Sequence, residues 1–220
     1  MAQGSRSIFP GFSWKISSRR LRTGSSSPDG ENDSRRARPR RSDSERRVFT
    51  LLREDQGTGA WTVLHSLGLS SAYSGAYGEI DFVAAVPGLG LICIEVKGGR
   101  VQCAQGLWTT TNRIGDTGAY ARSPFQQARD GMFRLLHALR SRFGERSAEA
   151  RCPLGWMVIF TDTTVPPPSP EFDRAELIVS SDLQSVLAAR LAACPSLQRA
   201  AGASVHHLQS PGACRAVPET

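Results

Sequence analysis

The chain has 220 residues, of which 40% are hydrophobic and 21% are charged, and its formal net charge is +7. A chain of this length suits one hydrophobic core rather than several. No apolar run approaches the roughly 20 residues needed to span a bilayer. No charged start is followed by an apolar stretch and a cleavage site, and the cysteines form no CxxC or Cys/His pair at metal spacing. These features exclude an integral membrane protein and favour a soluble cytoplasmic protein.

Positive charge is concentrated at the N-terminal end. The first 47 residues hold 12 Lys and Arg against 5 Asp and Glu, a balance of +7 that equals the net charge of the whole chain. Residues 1–42 are rich in Ser, Arg, Gly and Pro and lack apolar periodicity, so we predict a disordered tail. The tail could bind nucleic acid through counterion release; a solvated linker, a wrongly assigned start site and an organelle transit peptide are the alternatives. The candidate contacts are Arg35, Arg36, Arg38, Arg40 and Arg41.

Ser42 or Ser44 begins the first predicted helix, in which Val48 and Leu52 belong to a buried stripe. Glu45 lies on the same inward face, three residues before Val48. Ser42 and Glu45 also have the spacing of a capping box, in which two side chains satisfy backbone N–H groups at the helix start. Glu45 therefore has a structural interpretation as well as a functional one.

Residues 78–99 are predicted to form the β-hairpin around which the fold is organised. Two runs rich in Val, Ile and Phe flank Pro-Gly-Leu-Gly at 87–90, which is typical of a hairpin loop of three or four residues. Alternation places Ile80 and Phe82 on one face and Asp81 on the other. Both faces are apolar near the turn, which indicates a sheet covered on both sides, as in α/β proteins.

Charged residues occur only at the open end of this hairpin. A three-residue loop places Asp81 opposite Glu95 and Glu79 opposite Lys97, whereas a four-residue loop makes these contacts diagonal, at about 7 Å. Two carboxylates about 5 Å apart repel each other by about 3 kcal/mol at an effective dielectric constant of 20. Lys97 offsets part of this repulsion, and a divalent cation would offset the rest.

Carboxylate oxygens and water are ligands that suit Mg²⁺ or Mn²⁺ rather than zinc. Such an ion lowers the pKa of a bound water and neutralises charge on a phosphate. Lys97 lies one strand step from Glu95, where it can orient the attacking water or stabilise the transition state. This pattern is typical of phosphodiester hydrolysis. The alternative is a surface hairpin end with solvated charges.

The remainder of the chain alternates strands and helices. Strands are predicted at 61–67, 100–103, 107–111, 155–161 and 176–180, and helices from Ser123 to Phe143 and from Asp182 to about Ala193. The strand at 155–161 follows a helical crossover and should be parallel to a neighbour. Residues 111–120 are interpreted as a mobile loop near the site. The predicted domain is 43–194, followed by an irregular tail at 195–220.

A glutamine at the start of the long helix is a further candidate. Ser123 and Pro124 supply an N-cap and a proline at the first helical position. Gln127 stands beside the apolar stripe in the first turn, with Pro124 and Gly131 on its side. Little bulk therefore keeps Gln127 from a neighbouring strand end. A surface glutamine is the alternative.

The segments G-E-I-D-F-V-A and L-I-C-I-E-V-K-G-G resemble the nuclease-related domain (NERD) family, a branch of the PD-(D/E)XK restriction-endonuclease-like superfamily. S-P-F-Q-Q-A likewise resembles the family's P-x-x-Q-A segment. The resemblance covers about residues 44–162. It implies an α/β restriction-endonuclease-like core of order αβββαβ, with a mixed central sheet flanked by helices. Trp108 fits the family's tryptophan after the E-x-K strand, and we expect it to pack in the core.

The resemblance also implies a site. Asp81 and Glu95 would bind Mg²⁺ (or Mn²⁺), Lys97 would position the water, Glu45 matches the acidic residue of the first helix, and Gln127 matches the glutamine that contacts the active site. The expected activity is Mg²⁺-dependent hydrolysis of nucleic acid, with DNA as the favoured substrate. Family members occur alone or joined to helicase, kinase or other DNA-processing domains, so a helicase or similar protein is a candidate partner.

Two other functions remain open at this stage. The domain could be a catalytically inactive module that binds nucleic acid or regulates another protein while keeping the same fold. Alternatively, the arginine-rich tail could be the active part, with the globular domain as its scaffold.

Overall fold

The computed structural model describes residues 42–70, 77–183 and 187–200. The predicted basic tail, with Arg35, Arg36, Arg38, Arg40 and Arg41, lies outside these ranges, as does most of the C-terminal tail. Within the described ranges, no helix is long and apolar enough to cross a membrane.

The order of elements is a helix, three strands, a small sheet, a long helix, two further strands and a short helix. The helices are α1 (Asp43–Glu54), α2 (Pro124–Phe143) and α3 (Leu187–Ala192). The strands are β1 (Thr62–Ser70), β2 (Tyr77–Val86), β3 (Gly90–Lys97), β4 (Arg100–Ala104), β5 (Leu107–Thr111), β6 (Thr117–Ala119), β7 (Leu154–Phe160) and β8 (Leu177–Ile178). This confirms the predicted α/β restriction-endonuclease-like order.

The central sheet is mixed and has the strand order β1-β2-β3-β7-β8. Strands β1, β2 and β3 pair antiparallel, while β7 is parallel to β3 and β8 is parallel to β7. A parallel neighbour requires a long crossover, and α2 supplies it between β3 and β7. Val86 pairs with Gly90 at the β2–β3 turn, which is the register of the three-residue loop.

Both faces of the sheet are covered, as the apolar strands predict. On one face Val48 and Leu52 of α1 pack with Phe82, Ile94 and residues of α3. On the other face, Phe125 of α2 packs with strand residues and with Trp108 of β5, which is 2% exposed. The predicted core role of Trp108 is therefore confirmed.

The two helices that approach the hairpin begin at serine caps. Ser42 precedes α1 and accepts a hydrogen bond from the backbone N–H of Glu45 at 3.2 Å. Ser123 precedes α2 and accepts from the N–H of Gln126 at 3.0 Å, with Pro124 at the first helical position. Each cap satisfies an N–H group that has no partner within the helix. The caps thus fix where α1 and α2 begin, and so place Glu45 and Gln127 in the first turns of their helices.

The prediction for residues 111–120 was wrong in part. Residues Thr117–Ala119 form β6, which pairs antiparallel with β5 and completes a three-stranded sheet with β4. All three residues of β6 are exposed, so the strand has no buried stripe that a sequence pattern could reveal. Backbone hydrogen bonds to β5 hold it instead.

Three other expectations need correction. Ile80 packs with Val83 on the α2 side rather than with Phe82, because β2 leaves regular pleating near Asp81, where its pairing with β3 ends. Glu79 is exposed and is not paired opposite Lys97, because the backbone pairs of β2 with β3 end at Phe82 and Ile94. The packed domain continues past 194, since residues 195–200 are helical and Leu197 is fully buried. One buried leucine gives too little periodicity to predict a helix.

Candidate active site

Asp81 and Glu95 lie at the open end of the β2–β3 hairpin, where β3 approaches the first turn of α2. Glu95 is 7% exposed. The Oδ2 atom of Asp81 accepts a hydrogen bond from the backbone N–H of Val96 at 2.8 Å. This contact holds the Asp81 carboxylate against β3, next to Glu95.

The two carboxylates influence each other strongly. Burial, and next the negative charge of Glu95, raise the pKa of Asp81 to about 7. Burial also raises the pKa of Glu95, although the attraction of Lys97 opposes this shift. The charge of Glu45 raises both pKa values further, so three carboxylates lie within electrostatic reach of one another. Such a group is costly unless a cation or a proton compensates it.

Lys97 is held by two side chains. Its Nζ atom donates to Oε1 of Glu95 at 2.5 Å and to Oε1 of Gln127 at 3.0 Å, and it lies 5.4 Å from the centre of the Tyr120 ring. Burial alone would lower the pKa of Lys97, but the charge and hydrogen bond of Glu95 outweigh burial and raise it. Lys97 is therefore an ammonium ion. Lys15 is the only other lysine in a chain that otherwise uses arginine for positive charge.

Gln127 lies between Lys97 and the loop before α2. Its Nε2 atom donates to the backbone carbonyl of Arg122 at 2.8 Å. Because the amide nitrogen is occupied by this contact, the amide oxygen faces Lys97. Gln127 thus connects Lys97 to the loop before α2.

Glu45 reaches the sheet from α1, and both of its carboxylate oxygens are hydrogen bonded. Oε1 accepts from the hydroxyl of Ser42 at 2.8 Å, and Oε2 lies 2.9 Å from Nε2 of His65 on β1. Burial would raise the pKa of Glu45, but the bonds from the Ser42 hydroxyl, His65 and the Ser42 backbone lower it. The predicted capping interaction of Ser42 and Glu45 is therefore present, and Glu45 is kept ionised.

The five residues proposed from the sequence, namely Glu45, Asp81, Glu95, Lys97 and Gln127, are thus brought together by four elements. A comparison with protein-family models matches the nuclease-related domain (NERD) to residues 40–161, just over half of the chain. The chain belongs to the nuclease-related domain family. The match contains all five residues and extends from before α1 to the end of β7. Neither the curated proteins nor the solved structures gave a match.

Asp162 follows β7 and connects the turn after β3 to two arginines of the nuclease-related domain. It accepts from the backbone N–H of Gly99 at 2.9 Å and lies 3.9 Å from Arg47 and 3.7 Å from Arg113. Burial opposes ionisation of Asp162, but the bonds from Gly99 and Thr161 and the two arginines lower its pKa. These contacts give Asp162 a structural role in the turn that follows β7.

A cavity of about 270 Å³ opens beside the Gly98–Gly99 turn, directly after Lys97. It is lined by the start of α1, by β5 and the loop that follows it, and by Asp162. Arg113 lines the cavity, and its side chain is 81% exposed. The nuclease-related domain therefore has an exposed, positively charged side chain in a cavity that begins one residue after Lys97, although none of the five site residues lines that cavity.

The carboxylates of Asp81 and Glu95 decide which metal ions the site could hold. Across the described ranges, no group of three or more His, Cys, Asp or Glu residues is arranged to hold a metal. The carboxylates of Glu95, which is buried, and Asp81, which is half-buried, repel each other, with Glu45 nearby. Mg²⁺ is commonly bound by one or two carboxylates, with water and substrate phosphate completing its shell. The pair fits Mg²⁺ or Mn²⁺ and does not fit a zinc site.

His65 is the site residue that the sequence argument missed. It lies in a strand of apolar residues and pairs with Phe82, the neighbour of Asp81. A lone histidine on a predicted strand carries little information, because its register relative to β2 depends on a loop that sequence spacing does not define. The register of β1 and β2, together with the position of α1, brings His65 to Glu45.

Proposed function

We propose that this nuclease-related domain is a divalent-metal-dependent nuclease that hydrolyses phosphodiester bonds of DNA. The proposal rests on one observation: the buried carboxylate of Glu95 and the half-buried carboxylate of Asp81 lie within electrostatic reach of each other, beside a lysine ammonium. A purely structural hairpin would gain nothing from this arrangement, since apolar residues at the same positions would cost less. Buried, mutually perturbed titratable groups beside a cleft are a common sign of an active site.

Asp81 and Glu95 would hold Mg²⁺ or Mn²⁺. When bound, the ion neutralises charge on the substrate phosphate and supplies a water of lowered pKa. Lys97 has three N–H donors, of which Glu95 and Gln127 take one each. The third can donate to a phosphate oxygen or orient the attacking water. Because Gln127 and Glu95 fix the ammonium, little reorganisation is needed when charge develops on the phosphate.

The substrate strand would approach through the cavity beside Gly98 and Gly99. Arg113 lines this cavity and would contact a phosphate of the strand. The tail arginines, Arg35, Arg36, Arg38, Arg40 and Arg41, would add sequence-independent affinity for the backbone. A cytoplasmic role alongside a helicase or another DNA-processing protein belongs to the same proposal.

The test is cleavage of labelled DNA by the purified full chain, in Mg²⁺ and in EDTA. Single-stranded, double-stranded, linear and circular DNA are compared, with RNA of the same sequence. Asp81→Asn and Lys97→Met should each lower the rate at least about 100-fold. Glu145→Gln is the matched control, because Glu145 is exposed and lies on the chain after α2. Circular dichroism checks that each variant is folded.

Equal rates for the wild type and both site variants would contradict the proposal. A chain that binds DNA with the same affinity in all variants, but cleaves none of the substrates in Mg²⁺ or Mn²⁺, would instead be the inactive binding module.

A further inference from the structure

We propose that His65 is a positioning residue that fixes the Glu45 carboxylate beside Asp81 and Glu95. The inference rests on the proposed function, in which these carboxylates attract a divalent cation. His65 Nε2 lies 2.9 Å from Oε2 of Glu45, and the two side chains are 8% and 18% exposed. The contact joins the central sheet to α1.

The hydrogen bonding of the ring defines its tautomer. A carboxylate oxygen only accepts hydrogen bonds while Glu45 is ionised, so Nε2 of His65 carries the hydrogen. The other ring nitrogen, Nδ1, is buried and has no hydrogen-bond partner within the described part of the chain. A hydrogen on Nδ1 would therefore be a buried donor without an acceptor, which is costly. The structure thus favours a hydrogen on Nε2, with this donor directed at Glu45.

The ring itself has little freedom to move. It stacks on Phe82 with a centroid distance of 4.6 Å and an interplanar angle of 23°, and it lies 6.2 Å from the ring of Phe49. Phe82 is fully buried, so the surface beneath the imidazole is fixed by the core. The donor at Nε2 is therefore presented to α1 at a defined position.

The Glu45 carboxylate is therefore held by hydrogen bonds at both of its oxygens. The Ser42 hydroxyl bonds Oε1, and His65 bonds Oε2. A carboxylate oxygen can accept more than one hydrogen bond, so both atoms keep capacity toward the site. Outer groups of this kind orient carboxylates around metal ions, and their loss typically lowers metal affinity about 10- to 100-fold. His65 would thus act on the cation through Glu45, without touching substrate or metal.

Two substitutions of His65 distinguish the role of its hydrogen-bond donor from the role of its aromatic ring. His65→Phe keeps an aromatic ring that can stack on Phe82 but removes the donor. His65→Gln removes the ring but keeps an amide N–H that can reach Glu45. The readout is Mn²⁺ affinity of the full chain, measured by electron paramagnetic resonance without substrate. Thermal unfolding accompanies each measurement.

We expect His65→Phe to weaken Mn²⁺ binding about 10- to 100-fold, as Glu45→Gln should, and His65→Gln to stay within about threefold of the wild type. The double variant His65→Phe with Glu45→Gln should bind no more weakly than Glu45→Gln alone. Equal weakening by His65→Phe and His65→Gln would show a packing role and overturn the inference. Wild-type affinity in His65→Phe, with weakened binding in Glu45→Gln, would overturn it as well.

A second experiment tests the contact of His65 with Glu45 and does not depend on metal binding or on cleavage. Long-range ¹H–¹⁵N spectra of the imidazole rings report which nitrogen carries the hydrogen, and the His65→Phe spectrum assigns the signal. We expect the Nε2–H tautomer in the wild type and a changed Nε2 shift in Glu45→Gln. An Nδ1–H tautomer, or a shift unaffected by Glu45→Gln, would overturn the inference even in an active nuclease. If cleavage and Mn²⁺ binding are both absent, the proposed function fails while this experiment still reports on the contact.

Discussion

The Asp81 side chain bonds the backbone N–H of Val96 at 2.8 Å, beyond the last backbone pair of β2 and β3, Phe82 with Ile94. A side-chain carboxylate thus continues the contact between the two strands after regular pairing stops. As a consequence, the half-buried side chain of Asp81 is held beside Glu95. Local rules of strand pairing are commonly broken at functional sites.

The free energy of unfolding of the metal-free protein should fall as pH rises from about 4 to about 7. The pKa of Asp81 is raised from 3.8 to about 7 on folding. In this window the folded state keeps a proton that the unfolded state has released, so raising the pH favours unfolding. The upper limit of the loss is about 4 kcal/mol, reached above pH 7. Glu95, whose pKa is also raised, acts in the same direction.

Asp81→Asn tests this pH dependence, because an asparagine oxygen can still accept from Val96 but carries no charge. In EDTA, urea unfolding should give similar stabilities for wild type and variant near pH 4.5, and a more stable variant at pH 8. Mg²⁺ at pH 8 should raise the wild-type melting temperature and leave the variant's unchanged. A difference between the two proteins that does not vary with pH would contradict this.

Lys97→Arg should abolish most of the cleavage although it conserves the charge. The Lys97 side chain is 17% exposed and its ammonium fits between Glu95 and Gln127. A guanidinium is larger and planar, and cannot present one point charge at the same position. We expect a loss of about 100-fold or more in kcat with little change in circular dichroism. Wild-type kinetics in this variant would mean that any positive charge suffices.

Gln127→Ala should lower kcat about 10- to 100-fold, because Lys97 loses its link to the Arg122 carbonyl. Gln126→Ala is the matched control. Gln126 is the adjacent residue of the same helical turn, and its side chain is exposed. The rates of both variants are measured under saturating Mg²⁺. If the two variants behave alike, Gln127 does not act on the site.

Gly98→Ala should destabilise the junction between β3 and α1. A Cβ atom at Gly98 would overlap the Ser44 hydroxyl oxygen and would lie 3.2 Å from the Ser44 Cβ. The expected cost is about 1–3 kcal/mol in urea unfolding, as for other overpacked sites. Ser44→Ala removes the overlapping oxygen, so the double variant should recover most of the loss. Strictly additive effects of the two changes would show that α1 does not pack against Gly98 in this way.

Deletion of residues 1–41 should weaken DNA binding and reduce its salt dependence. The slope of log K against log salt should change by about 0.9 for each DNA phosphate that the shortened protein no longer neutralises. Ser42 must be retained, because it caps α1 and bonds Glu45. Cleavage at saturating enzyme should continue. A complete loss of cleavage would instead favour the tail as the active part of the protein.

Much of the fold follows from short-range signals. The apolar runs on both sides of Pro-Gly-Leu-Gly define β2 and β3, and the serines before α1 and α2 define where these helices begin. Asp81, Glu95 and Lys97 can be found because strand alternation and one hairpin register bring them together. These relationships involve residues close in the chain, so sequence spacing contains them.

The rest depends on contacts between distant segments. The contact of His65 with Glu45 requires both the pairing of β1 with β2 and the position of α1. β6 is exposed and is held by backbone pairing with β5 and by a hydrogen bond between the hydroxyls of Thr111 and Thr117, and Leu197 is buried by its neighbours rather than by a periodic pattern. Glu79 was expected opposite Lys97, but the backbone pairs of β2 with β3 end at Phe82 and Ile94, and the residue pattern does not show where pairing stops.

Anomalous diffraction from a crystal soaked in Mn²⁺ tests the central claim most directly, namely that Asp81 and Glu95 share one divalent ion. We predict an anomalous peak in contact with both carboxylates, which disappears in a crystal of Asp81→Asn. A well-ordered site that binds no Mn²⁺, with Glu95 still paired to Lys97, would contradict the account.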